Sequence, residues 1–107
     1  MSLQDKIQQL KKNQDQRISK TVDYLVEEWG ETIKIRRLNT QDQIRAESWA
    51  RKNFRVKPEI ATGCALVCMA ITEDVLPLSV ESVNFLLGEP VEVITGLLDA
   101  IKKASEV

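Results

Sequence analysis

The chain contains no histidine. The side chain most used for acid–base work near neutral pH, and most used to hold a transition metal, is therefore missing from the outset. The groups left to do chemistry are two cysteines, a carboxylate pair and a run of cations. Cys64 and Cys68 stand four apart inside the apolar run from Cys64 to Ile71, and on a helix that spacing puts both thiols on one face. As metal ligands they are half a site with no second pair to complete it. As packing thiols they behave as small hydrophobes, which is the expected role; a disulfide between them does not suit a reducing compartment. Glu27 and Glu28 imitate an acid/base pair, but adjacent carboxylates in a turn are ordinarily just solvated. The Ser and Thr hydroxyls have no imidazole to activate them, and no lysine is placed as a substitute base. The four glycines, at 30, 63, 88 and 96, are scattered, so no phosphate-cradling loop is present. These readings point away from an enzyme, and no cofactor or metal is expected.

The cations gather between residues 45 and 57, where Arg45, Arg51, Lys52, Arg55 and Lys57 face one acid, Glu47, with Trp49 and Phe54 interleaved. Such a stretch can meet phosphates while its aromatics stack on bases. The plainer reading is a solvated helix end whose aromatics face the core and whose cations stabilise the helix dipole. The whole chain weakens the nucleic-acid reading: 15 Lys and Arg against 16 Asp and Glu leave a net charge of -1. Bulk attraction to nucleic acid or an anionic membrane is not expected.

At 107 residues, 43% hydrophobic and 29% charged, the chain has the size and composition of one soluble domain. It shows no apolar leader and no run long enough to span a bilayer, so a cytoplasmic location is expected. Residues 1–20 are polar, with Leu3, Ile7 and Leu10 at helical spacing and Gln14 and Arg17 continuing the seam. They read as a partly helical segment, either frayed or used to dock a partner or another copy. Residues 21–107 read as a single α+β domain, mainly α, of four to five helices and one hairpin in the N-terminal half.

The hairpin is carried by the alternation of Val22, Tyr24 and Val26, the turn Glu27-Glu28-Trp29-Gly30, and renewed alternation from Thr32 to Leu38. Two strands alone are marginal in water, so they must pack on helices or pair with another chain. Thr40 and Gln43 fit a capping box opening a helix that runs to Lys52 or Asn53. On it Ala46, Trp49 and Ala50 share a face, and Ile44 points away. Pro58 starts a helix that is apolar on nearly every side from Ile60 to Ile71, the expected central core helix, with Gly63 allowing a close approach. Thr72 to Leu78 reads as a loop. Ser79 caps a short helix carrying Val80, Val83 and Leu87 and ended by Gly88. Pro90 opens the last helix, with Val91, Ile94, Leu97, Leu98 and Ile101 as its stripe. Trp49 is expected to pack inward; Trp29, in an acidic turn, either folds back over the hairpin or anchors a partner.

The order EEWGETIKIRRLNTQDQ, a helix, a buried apolar helix, then LPLSVESVNFLLGEPVEVITGLLDAI resembles the tail assembly chaperones of long-tailed bacteriophages. The resemblance covers roughly residues 20 to 105. It rests on Trp29-Gly30, Ile33 to Leu38, Thr40 and Leu87-Gly88-Glu89-Pro90. It implies a non-enzymatic protein of a phage or prophage, made in the bacterial cytosol and absent from the finished virion. Its partners would be the long helical tape-measure protein, which such chaperones keep soluble, and the tail-tube subunits they help recruit. The surface this suggests is Tyr24, Trp29, Ile33 and Ile35 with Arg36 and Arg37. Two other classes compete. A structural tail or capsid completion protein would use the same alternating strands and an oligomerising edge, and a small DNA-binding regulator would use the 45–57 cations.

Overall fold

Alternation and one permissive glycine build the first folded unit. In the computed structural model, which describes residues 2–14, 21–72 and 76–106, β1 (Thr21–Val26) and β2 (Glu31–Arg36) form a two-stranded antiparallel sheet. The carbonyl of Val26 accepts from the N–H groups of Trp29 at 3.1 Å and Gly30 at 2.9 Å. Gly30 closes the turn at φ +65°, a conformation strained for any residue with a Cβ. The register pairs Val22 with Ile35 and Tyr24 with Ile33, which puts these side chains on one face. Ile33 and Ile35 are 6% and 1% exposed, whereas Val22 across from Ile35 is 42% exposed. The core therefore sits under β2, and β1 is the outer strand. β2 stops at Arg36, two residues before the alternation does, and Leu38 leaves the ladder to pack half-buried against the core.

The helix that follows, α2 (Thr40–Asn53), begins one residue earlier in capping frame than Thr40 and Gln43 suggest. Asn39 is the N-cap: its Oδ1 accepts from the Asp42 N–H at 2.8 Å, and Asp42 Oδ2 accepts from the Asn39 N–H at 3.0 Å. Asn caps at least as well as Thr. Asp42 is also held from outside, because Arg36 reaches its carboxylate at 3.3 Å. Ala46 and Ala50 are fully buried and Ile44 is 57% exposed, as the helical spacing requires.

α3 (Pro58–Ala70) is the central helix, packed against α2 and against the two helices that follow it in the chain. Pro58 sits in its first turn, where its missing N–H costs nothing. Most of its buried positions are small (Ala61, Cys64, Ala65, Cys68 and Ala70, with Val67), so neighbouring backbones come close. A Cβ at Gly63 would lie 3.4 Å from Leu98 Cδ1, an ordinary van der Waals contact, so this position faces the last helix without requiring glycine. Ile60, expected in the core, is 50% exposed on the first turn. Ser79 caps α4 (Val80–Leu87) by accepting from the Ser82 N–H at 3.2 Å. The buried pair on α4 is Val83 and Leu86, not Leu87, which stays 43% exposed. Both fit helical periodicity from Val83, and packing chooses between them. α5 (Val91–Glu106) buries Leu97, Ile101 and Ala104 and leaves its first residue, Val91, 78% exposed. Residues 76–79 carry neither helix nor strand, and 73–75 of the expected loop lie outside the described residues.

The described residues thus form a small α+β domain, mainly α, of five helices and one hairpin in the N-terminal half. The hairpin face, α2, α3, α4 and α5 share one core. α1 (Leu3–Lys12) stands apart from it: none of its residues is buried, and Leu3, Ile7 and Leu10 are 75%, 42% and 37% exposed.

Candidate functional site

The six residues singled out on the hairpin and its exit do not form one surface. Ile33 and Ile35 are core residues, because β2 is the strand pressed onto the helices, so neither is offered to a partner. Arg36 is a structural staple. Its Nε donates to the Met69 carbonyl at 2.8 Å and its NH1 to Asp42 Oδ2 and the Arg37 carbonyl, both at 3.3 Å. One guanidinium so caps a C-terminal carbonyl of α3, neutralises the buried Asp42 and ties β2 to the start of α2. Arg37 is half-buried beside it.

Trp29 folds back across the turn rather than standing free. Its ring packs on Phe85 of α4, with centroids 6.0 Å apart, and its Nε1 donates to Glu89 Oε1. The hairpin tip is thereby pinned to the α4–α5 junction. Tyr24 lies half-buried over α5, its hydroxyl in the space beside Gly96, where a Cβ would come within 2.6 Å of it.

What remains accessible is the outer side of β1 and the furrow between β1 and α5. The carbonyl of Lys34 accepts from the Thr72 N–H at 3.0 Å and from its hydroxyl at 3.3 Å, so Lys34 turns its backbone away from β1. Its register partner Asp23 must then turn its own N–H and C=O outward, and by the two-residue period Leu25 does the same. Among the described residues no backbone bond is made to that side of β1. β2 has its outer edge covered by Ile71 and Thr72; β1 keeps an open one.

The furrow is two clefts that meet at Tyr24. One, of about 360 Å³, runs past Leu25, Glu27, Glu28, Glu92 and Val93. The other, of about 400 Å³, is lined by Val22, Asp23, Gly96, Asp99, Ala100 and Lys103. Its floor is apolar or small, and five exposed carboxylates rim it against one lysine at the far end. None of those carboxylates has an ion pair among the described residues. The α5 half of this site (Glu92, Gly96, Asp99 and Ala100) escapes a reading that follows the apolar stripe. The signal available was the small pair Gly96 and Ala100, one helical turn apart on the flank of that stripe.

The remaining candidates resolve locally. Arg45, Arg51, Lys52, Arg55 and Lys57 are all exposed, while Trp49 and Phe54 pack half-buried against the core and against each other at 5.8 Å. Their rings are therefore directed inward, away from any stacking ligand. Cys64 and Cys68 are free and buried. Burial pushes the Cys64 thiol above its ordinary 9.0, and burial together with the neighbouring Cys64 pushes Cys68 up to about 11. Neither has the thiolate character of a nucleophile. No group of three or more metal-ligating side chains occurs among the described residues, and no helix is long and apolar enough to cross a membrane. Comparison with protein-family models, with curated proteins and with solved structures finds no match to this chain.

Proposed function

We propose that this protein is a non-enzymatic tail assembly chaperone of a long-tailed phage or prophage, acting in the bacterial cytosol. It binds the helical tape-measure protein, keeps it soluble and helps recruit tail-tube subunits. The observation that carries the reading is the furrow between β1 and α5, open, acid-rimmed and apolar-floored, beside an unpaired strand edge. A helical partner that exposes apolar stripes before assembly needs such a surface and no active site. Leu25, Phe85 and Val91, 52%, 50% and 78% exposed, extend the apolar area around the hairpin tip. The resemblance of the Trp-Gly turn and the Leu87-Gly88-Glu89-Pro90 step to that family supplies the identity of the partner.

The open edge of β1 also favours a second reading, a tail or capsid completion protein that adds strands to a neighbour and stays in the particle. The DNA-binding alternative loses support because Trp49 and Phe54 are committed to the core. Co-expression with the tape-measure protein of the same phage or prophage separates these readings. The expected result is a partner that is insoluble alone, soluble and co-purified with this chain, and particles that lack it. A partner unaffected by co-expression refutes the chaperone role, and retention in purified particles assigns the completion role instead.

A further inference from the structure

We propose that the exposed corner Arg55-Val56-Lys57, between α2 and α3, docks into the glutamate-rimmed cleft beside Leu25 of another copy of this chain, so that copies associate head to tail. The inference goes beyond the chaperone reading, and its test needs this chain alone. The corner is held in a conformation its residues do not favour. Lys57 takes φ +50°, a left-handed backbone that residues with a Cβ rarely adopt, and the proline that follows crowds it further. Strain of this kind persists only where the surroundings impose it, and it gathers at ligand clamps and switch regions. Here it displays apolar surface. Val56 is 82% exposed, more than any other large hydrophobic side chain among the described residues, and Ile60, in the first turn of α3, is 50% exposed.

Charge complementarity selects the occupant. Lys52, Arg55 and Lys57 are exposed around the corner and make no ion pair among the described residues. The acids nearest to them in sequence, Glu47 and Glu59, line a cleft between α2 and α3 that holds Arg51 as well. Glu27, Glu28 and Glu92 rim the cleft of about 360 Å³ that is bounded by Tyr24, with Leu25 and Val93 inside it and no cation in its lining. Val91, next to Glu92, adds a side chain that is 78% exposed. Cations around exposed apolar side chains therefore answer carboxylates around exposed apolar side chains. The whole chain is almost neutral, 15 Lys and Arg against 16 Asp and Glu, so the two patches are charge separated within one molecule and not a bulk attraction to polyanions. Both sit on elements that share one core, and they make no ion pair with each other within one chain. The contact is then between copies. A cleft of this size takes a corner and not a whole helix, which places the contact among weak interfaces of under about 1,200 Å². A Kd on the order of 100 µM is expected. Each copy carries one corner and one cleft, so the contact is heterologous and growth does not stop at two copies.

The test is sedimentation equilibrium of the purified full chain from about 20 µM to 2 mM, a range that brackets that affinity. Assemblies larger than a dimer are expected at the upper end, and raising the salt from about 50 to 500 mM should weaken them. Val56→Asp with Arg55→Gln disables the corner, and Glu28→Gln with Glu92→Gln disables the cleft. All four residues are exposed, so both variants keep the fold. Each variant alone should associate at least about tenfold more weakly than the wild type. Mixed, they should form a one-to-one complex that grows no further, because one variant supplies the intact cleft and the other the intact corner. A wild type that stays monomeric throughout overturns the proposal. So does a variant that associates as the wild type does, or a mixture that stays monomeric or grows past two copies. A monomeric chain that instead binds a short DNA duplex through Arg55 overturns it in favour of a polyanion at the corner.

Discussion

Replacing Gly96 with alanine sets two effects of opposite sign against each other, and Tyr24 decides which wins. Gly96 lies inside α5, where alanine is better than glycine by about 1 kcal/mol of helix propensity. A Cβ there would approach the Tyr24 hydroxyl oxygen to 2.6 Å, far inside contact, while the next nearest atom, Tyr24 Cζ, lies at an ordinary 3.8 Å. Relief requires the half-buried ring to swing towards the mouth of the furrow. That path puts the overpacking cost at the lower end of the usual range, roughly 1–2 kcal/mol. Gly96→Ala should therefore be neutral to about 1 kcal/mol destabilising in the wild-type background. With Tyr24→Phe the offending oxygen is gone and only the Cζ contact remains. Gly96→Ala should then stabilise by about 1 kcal/mol, a rise in Tm of several degrees for a domain of this size. Urea unfolding of the four proteins closes the double-mutant cycle, with a coupling of about 1–2 kcal/mol. Additive effects, or an alanine that stabilises the wild type as much as the Tyr24→Phe protein, would falsify the placement of Tyr24 over α5.

The capping frame of α2 is tested by a pair of alanines: Asn39→Ala should cost about 1 kcal/mol in chemical denaturation and Thr40→Ala much less, and the reverse ranking returns the cap to Thr40. Arg36→Ala leaves the buried Asp42 and the Met69 carbonyl short of a donor, a loss of about 1–3 kcal/mol. Arg36→Lys should recover little of it, since one ammonium cannot reproduce the fork; full rescue by lysine in thermal melts refutes that role. The raised Cys68 thiol predicts an alkaline loss of stability. Below its ordinary 9.0 both folded and unfolded thiols are protonated, and between 9.0 and about 11 only the unfolded one ionises. Stability should fall there by up to about 1.4 kcal/mol per pH unit for this thiol, and Cys68→Ala should flatten the decline; an unchanged pH profile sinks the assignment.

The parts of this protein legible without coordinates are those set by local rules. Pro58, Ser79, Gly88 and Pro90 mark helix limits through their own backbone and hydrogen-bond chemistry. Gly30 marks the turn because it alone takes positive φ there without strain. The spacing of Cys64 and Cys68 inside an apolar run likewise announces a face that is buried. By itself the sequence determined a hairpin, a central apolar helix and the α+β class, since each follows from periodicity over a few residues.

Tertiary structure decided what lies between those elements. Leu86 rather than Leu87 entered the core, because two adjacent apolar positions fit one helical face and only the neighbour distinguishes them. Asp42, already in the local cap with Asn39, gained a second partner in Arg36 on another element. Trp29 found Phe85 and Glu89 some sixty residues away, and Ile33 and Ile35 passed from candidate surface to core because β2, not β1, is the strand pressed onto the helices. The furrow belongs wholly to this second category. Its two walls, β1 and α5, lie at opposite ends of the domain sequence, and no local pattern states that they meet.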